Sequence, residues 1–151
     1  MNEGIKFEGE YLNGKRFKGK EYDYKGSVLF EGEYLKGKKW NGKGKEYDYY
    51  DNLIFKGEYI NGEKNGMVKK YKDYKLLFEG EYINGKKNGT GKEYDENGIL
   101  LFEGEYLNGE KWNGKGKEYN YYDSELIFEG EYINGKKMEN VKNIIILLMV
   151  N

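Results

Sequence analysis

The sequence predicts an all-β fold: an elongated, single-layer, twisted antiparallel β-meander of six tandem hairpin repeats. Three observations carry this expectation. The segment Phe-Glu-Gly-Glu-Tyr recurs from Phe7, Phe30, Phe78, Phe102 and Phe128, with a Phe-Lys-Gly-Glu-Tyr copy from Phe55, so successive units begin 23, 25, 23, 24 and 26 residues apart. Each copy alternates with the period of two that a strand requires, successive side chains pointing to opposite faces. Each is followed by a second extended segment that closes in a turn-forming cluster of Asp, Asn, Gly and Tyr. A unit this short cannot bury an apolar face alone and must stack on its neighbours, which is the mark of a repeat array.

Within a unit the elements follow in order. The first strand is typified by residues 53–59, where Leu53, Phe55, Gly57 and Tyr59 are expected on one face and Ile54, Lys56 and Glu58 on the other. A basic loop comes next. The second strand carries Gly-Lys-Gly-Lys-Glu-Tyr, at 42–47 and 114–119, and runs into an Asp- and Tyr-rich turn. In repeat four that turn reads Asp95-Glu96-Asn97-Gly98, and Asn-Gly predicts a type I′ hairpin turn, which needs positive φ at both central residues. Repeats one to three resemble repeats four to six, with Phe7 to Phe78, Phe30 to Phe102 and Phe55 to Phe128 offset by 71, 72 and 73 residues, so a three-repeat block is duplicated. Repeats two and five share Lys-Trp-Asn-Gly-Lys-Gly-Lys-Glu-Tyr, and their Trp40 and Trp112 read as one inserted loop residue. The array is one domain over 1–151, with 138–151 a degenerate, apolar C-terminal segment.

Composition narrows the chemistry. The 151 residues include 23 Gly and 17 Tyr but no Cys, His, Pro, Ala or Gln, so thiol nucleophiles, Ser-His relays, the usual zinc ligands and disulfides are excluded. Ser27, Ser124 and Thr90 are the aliphatic hydroxyls, and none lies in a nucleophile-elbow or phosphate-loop context. A non-catalytic protein without a cofactor is expected. The 26 basic and 27 acidic side chains leave a net charge of -1, which removes the bulk electrostatic case for nucleic acid. Disorder is countered by the 17% aromatic content. The first residues form no apolar signal region and no stretch approaches the ~20 apolar residues of a membrane span, so a cytoplasmic address is expected, peripheral at membranes if lipid is bound.

The array resembles MORN repeats (membrane occupation and recognition nexus), whose pattern is aromatic-x-Gly-x-aromatic, then x-x-Gly, then x-x-x-Gly-x-Gly. Repeat four carries it as Phe78, Gly80, Tyr82, Gly85, Gly89 and Gly91. Repeats two and five add a Trp before the late glycines, repeat three has Val68 at the last one, and Tyr replaces the family's usual Trp at the second aromatic position throughout. The resemblance covers roughly residues 5–137 and implies an elongated antiparallel sheet, with roles among phospholipid binding, dimerisation and scaffolding.

Candidate sites follow from the layout. The paired glutamates, such as Glu31 with Glu33 and Glu103 with Glu105, lie two apart on one face, but an acid/base pair needs a partly dry pocket, and lysines such as Lys43 and Lys45 are expected to offset them. Basic loops align along one edge and place Lys38, Lys39, Lys86, Lys87, Lys111, Lys136 and Lys137 there, with Trp40 and Trp112 beside them. Trp beside Lys suits an anionic membrane interface; the alternative is that each Trp folds back over a neighbouring hairpin. The opposite edge gathers Asp23, Asp48, Asp51, Asp73, Asp95 and Asp123 with tyrosines. The apolar run holding Ile144, Ile145, Ile146, Leu147 and Leu148 fits a last strand, a partner-contact or self-association edge, or a poorly soluble tail. The leading expectation is a repeat scaffold that binds a protein partner or copies of itself, with peripheral binding to anionic phospholipid as the alternative.

Overall fold

A computed structural model describes residues 4, 6–120, 122 and 124–139. The twelve strands are β1 (Lys6–Leu12), β2 (Lys15–Tyr22), β3 (Val28–Leu35), β4 (Lys38–Tyr47), β5 (Leu53–Ile60), β6 (Glu63–Lys72), β7 (Lys75–Ile83), β8 (Lys86–Tyr94), β9 (Leu100–Leu107), β10 (Glu110–Tyr119), β11 (Leu126–Ile133) and β12 (Lys136–Glu139). They form one open antiparallel sheet whose spatial order is the sequence order. The fold is therefore the all-β hairpin meander that the repeat predicts. Among the described residues no second layer packs on it, so burial is achieved on the sheet's own surface.

One face does this with aromatic rings. Phe30, Phe55, Phe78, Phe102 and Phe128 are buried together with Tyr34, Tyr59, Tyr82, Tyr106 and Tyr132 and with Val68. The rings meet edge to face, within a repeat as in Phe30 to Tyr34 (5.1 Å between centroids) and between repeats as in Phe102 to Tyr132 (5.3 Å). Such pairs contribute about 0.5–1.5 kcal/mol beyond the area they bury. The rings can lie flat on the sheet because the strands beneath present glycine opposite glycine, as in Gly91↔Gly104↔Gly114. A Cβ added at Gly104 would sit 2.6 Å from the Cα of Gly114 and collide with the Asn113 carbonyl.

The turns differ from the sequence expectation. The two-residue turns with positive φ at both positions lie in the basic loops, at Asn13-Gly14, Lys36-Gly37, Asn61-Gly62, Asn84-Gly85, Asn108-Gly109 and Asn134-Gly135. At Asn97-Gly98 only the glycine has positive φ (82°). That loop is held instead by the Asp95 side chain, which accepts hydrogen bonds from the Asn97 and Ile99 amides at 2.8 Å. Asp23 and Asp48 close their loops in the same way. Repeat three is the exception: Lys72 pairs with Lys75 across a tight turn formed by Asp73 (φ 48°) and Tyr74 (φ 64°).

Alternation also breaks at Leu53. Phe55 faces Glu46, but the next pair is Tyr47 with Leu53, so a bulge puts Leu53 across from Tyr47 instead of continuing the Phe55 face. Trp40 and Trp112 likewise are bulge residues inside β4 and β10, not loop insertions. A single inserted residue would turn every later side chain to the wrong face, and a bulge absorbs it. The hairpins also differ in register: Phe7, Phe55 and Phe78 face Glu21, Lys70 and Glu93 within their hairpins, whereas Phe30 and Phe102 face Gly44 and Gly116.

Candidate functional site

The basic residue at the second position after each loop glycine turns inward over the aromatic face. Lys39, Lys64, Lys87, Lys111 and Lys137 lie 4.1 to 5.4 Å from the ring centroids of Phe30, Phe55, Phe78, Phe102 and Phe128, and Arg16 covers Phe7 at 4.9 Å. Their charged ends converge on the glutamate that closes the second strand. Glu21 takes Arg16 at 2.7 Å and Lys39 at 3.2 Å; Glu46 takes Lys64 at 2.8 Å; Glu93 takes Lys87 at 3.1 Å; Glu118 takes Lys137 at 2.5 Å. The tyrosine of the following repeat donates to the same carboxylate, Tyr59 to Glu46 at 2.6 Å, Tyr106 to Glu93 at 2.8 Å and Tyr132 to Glu118 at 2.7 Å. Burial pushes the Glu93 carboxyl up, but the Tyr106 hydroxyl and the Lys87 and Lys111 charges outweigh it and hold the group below its ordinary range. Every repeat after the first thus fastens onto the carboxylate of the one before it, except where Lys70 occupies the glutamate position of repeat three.

Lys39, Lys87, Lys111 and Lys137 are therefore half-engaged with the core. Lys38, Lys86 and Lys136 point to the other face and are exposed. There they lie opposite Leu35, Ile83 and Ile133, members of an aliphatic row completed by Leu12, Ile60 and Leu107, each 40 to 58% exposed. The outward position is Glu63 in repeat three and Glu110 in repeat five. Trp40 and Trp112 pack on the turn of the next repeat, their rings near Gly62 and Gly135, while those glycine amides donate to the Trp carbonyls at 2.9 Å. The site residues 144–148 and Asp123 lie outside the described residues.

The face opposite the rings is a ladder of charges. Lys20 meets Glu31 at 3.0 Å, Lys69 meets Glu79 at 3.0 Å, Lys92 meets Glu103 at 2.9 Å and Lys117 meets Glu129 at 2.9 Å. Glu33 and Glu105 accept from the Asn41 and Asn113 amides. Of the paired glutamates, Glu31 and Glu103 are thus ion-paired across strands while Glu33 and Glu105 are hydrogen-bonded and keep their charge. Among the described residues no group of three or more acidic side chains is placed to hold a metal ion, and no helix is long and apolar enough to cross a membrane.

The turn edge carries the feature that sequence reading underweighted. Tyr49 and Tyr122 are 94% and 92% exposed, and Tyr24, Tyr50 and Tyr74 also project into solvent. The loops beneath Tyr24, Tyr49 and Tyr50 are fixed by the Asp23 and Asp48 hydrogen bonds above, Asn120 accepts from the Tyr122 amide at 2.9 Å, and neighbouring loops are tied by Tyr24 and Lys25, both donating to Asp51 at 2.7 and 2.9 Å. The signal was present as Asp-Tyr-Tyr-Asp, but a tyrosine count cannot separate the buried rings of the sheet from the exposed rings of the turns.

A scan against protein-family models matches none of them to this chain, and a search of curated proteins returns no relative.

Proposed function

We propose that the chain is a non-catalytic repeat scaffold that binds a protein partner, or copies of itself, along the turn edge. The supporting observation is the row of exposed tyrosines on turns, those of Tyr24, Tyr49, Tyr50 and Tyr122 being capped by the side chains of Asp23, Asp48 and Asn120. Tyrosine buries a large amphipathic surface at low conformational cost, and pre-ordered turns reduce what binding has to immobilise. Aspartates beside the rings fit a partner surface rich in Arg and Lys, whose cations can also stack on the phenols. The MORN resemblance, with its scaffolding and dimerisation roles, agrees with this reading. The test is Tyr49→Ser, Tyr50→Ser and Tyr122→Ser combined. Because these rings are exposed, the unfolding midpoint should be unchanged, while enrichment of Arg- and Lys-rich segments from a displayed-peptide library should disappear. Enrichment undiminished by the triple substitution sinks the reading. For self-association along this edge, sedimentation at increasing concentration should show a mass that rises, and the triple tyrosine substitution should abolish the rise.

A second reading is peripheral binding to anionic phospholipid through the loop edge. It is favoured by the aliphatic row lying beside Lys15, Lys38, Lys86 and Lys136, a pairing suited to a membrane interface. Lys38→Glu with Lys86→Glu should then weaken flotation with phosphatidylserine vesicles.

A further inference from the structure

Repeat three departs from the charge ladder. On β4, β5 and β6, Lys45, Lys56 and Lys69 stand directly opposite one another. The position of Lys56 is glutamate in the other five repeats, as Glu8, Glu31, Glu79, Glu103 and Glu129. Like charges placed opposite across strands destabilise a sheet, so this row works against the fold that carries it. Lys69 is answered by Glu79, and Lys43 by Glu58 at 3.7 Å, but Lys45 and Lys56 reach no carboxylate among the described residues. All four lysines line one recess of about 330 Å³, together with Glu31, Glu58, Val28 and Met67. Neighbouring recesses on the same face are acidic on balance: one holds Glu79, Glu103 and Glu105 against Lys92, another Glu103, Glu129 and Glu131 against Lys115 and Lys117. The recess also lies in the cationic half of the chain, since residues 1–77 hold 17 basic and 13 acidic side chains and residues 78–151 hold nine and 14.

We propose that this recess binds a compact phosphoryl anion of the di- or polyphosphate class, held by Lys43, Lys45, Lys56 and Lys69. The anion supplies the negative charge that the ladder lacks at this one place. Three adjacent strands at about 4.8 Å spacing set the outer lysines ~10 Å apart, a span that one phosphate does not bridge and a short phosphoanhydride chain does. A membrane is the poorer fit. The carboxylates on this face beyond the recess, from Glu79 to Glu105, would meet an anionic bilayer laid along the sheet and repel it, whereas a compact solute touches only the lysines. The inference is independent of the partner reading, which concerns the turn edge.

Calorimetric titration with pyrophosphate at physiological ionic strength tests it, with Lys56→Glu as the main variant and Lys115→Gln as a control elsewhere on the face. Lys56→Glu restores the residue type of the other repeats, so the unliganded protein should melt at the same temperature or higher. Its affinity for pyrophosphate should fall at least about tenfold, as expected for loss of one cation and gain of an anion in the site. Lys115→Gln should bind like the parent. Vesicles containing a phosphoinositide, added in place of pyrophosphate, should show no difference between the parent and Lys56→Glu. Absence of pyrophosphate binding by the parent, or equal binding by Lys56→Glu, overturns the proposal; Lys56-dependent vesicle binding overturns the choice of a soluble anion.

Discussion

Glu46, Glu93 and Glu118 each occupy a half-buried position that only their partners make tolerable. Burial raises the carboxyl of Glu46, yet hydrogen bonds from Lys64 and Tyr59 and the Lys64 charge bring it below its ordinary value; at Glu118 the Lys137 hydrogen bond is the largest influence. The phenols across from them move the other way. Burial first, and then the adjacent carboxylate, push Tyr59, Tyr106 and Tyr132 well above the ordinary phenol range. The two shifts set opposite limits. A depressed carboxyl contributes stability that is complete above its unfolded value near 4.5 and is lost as pH falls through the folded value. A raised phenol contributes stability that is complete below its unfolded value near 10.0 and is lost as pH rises towards the folded one. Urea midpoints should therefore be level between roughly pH 5 and 9 and decline on both sides. Phenolate absorbance from Tyr59, Tyr106 and Tyr132 should appear only with unfolding. A single ordinary transition for all of them would contradict the buried ladder.

At the scale of one hairpin, the strands were legible and the turns were not. Alternation of Phe, Gly and Tyr with charged residues specifies which side is buried, because a period of two has only one reading on a sheet. Asn-Gly was equally visible, but at Asn97-Gly98 it competes with an aspartate two residues earlier, and the side-chain cap wins over the two-residue turn. The direction of the Lys39, Lys87, Lys111 and Lys137 side chains depends on Phe and Glu from another strand, which spacing alone does not reveal. The Asp73-Tyr74 turn yields a test of its own. A non-glycine residue in the left-handed region costs about 1 kcal/mol, so Tyr74→Gly should stabilise the protein by up to that amount in chemical denaturation, less the entropy glycine adds to the unfolded chain. A loss of stability would mean that the Tyr74 ring has a packing role.

Over the whole array, the side-chain ladder has a seam between repeats three and four, where the two duplicated blocks meet. Lys70 stands where Tyr82 would find a carboxylate, and Val68, buried between Gly57 and Gly80, fills the place of a glycine. The strand pairing of β6 with β7 continues across the seam, closed by the tight turn, so the sheet is unbroken while its fastening changes. Lys70→Glu should rebuild the missing link and raise stability by about 0.5–1.5 kcal/mol, with slower amide exchange concentrated in β6 and β7. A destabilised protein would show that Lys70 is itself needed there. The tyrosine fastening elsewhere runs in one direction: the carboxylate belongs to the earlier repeat and the hydroxyl to the later one, as in Glu46 with Tyr59, Glu93 with Tyr106 and Glu118 with Tyr132. Tyr11, 59% exposed, offers a hydroxyl that reaches no carboxylate among the described residues. The units are consequently like links with a hook at one end and an eye at the other. A strand joined ahead of β1 could extend this stitching only by presenting an acid towards Tyr11, and a unit reversed end for end would bring hook to hook and find nothing to grip.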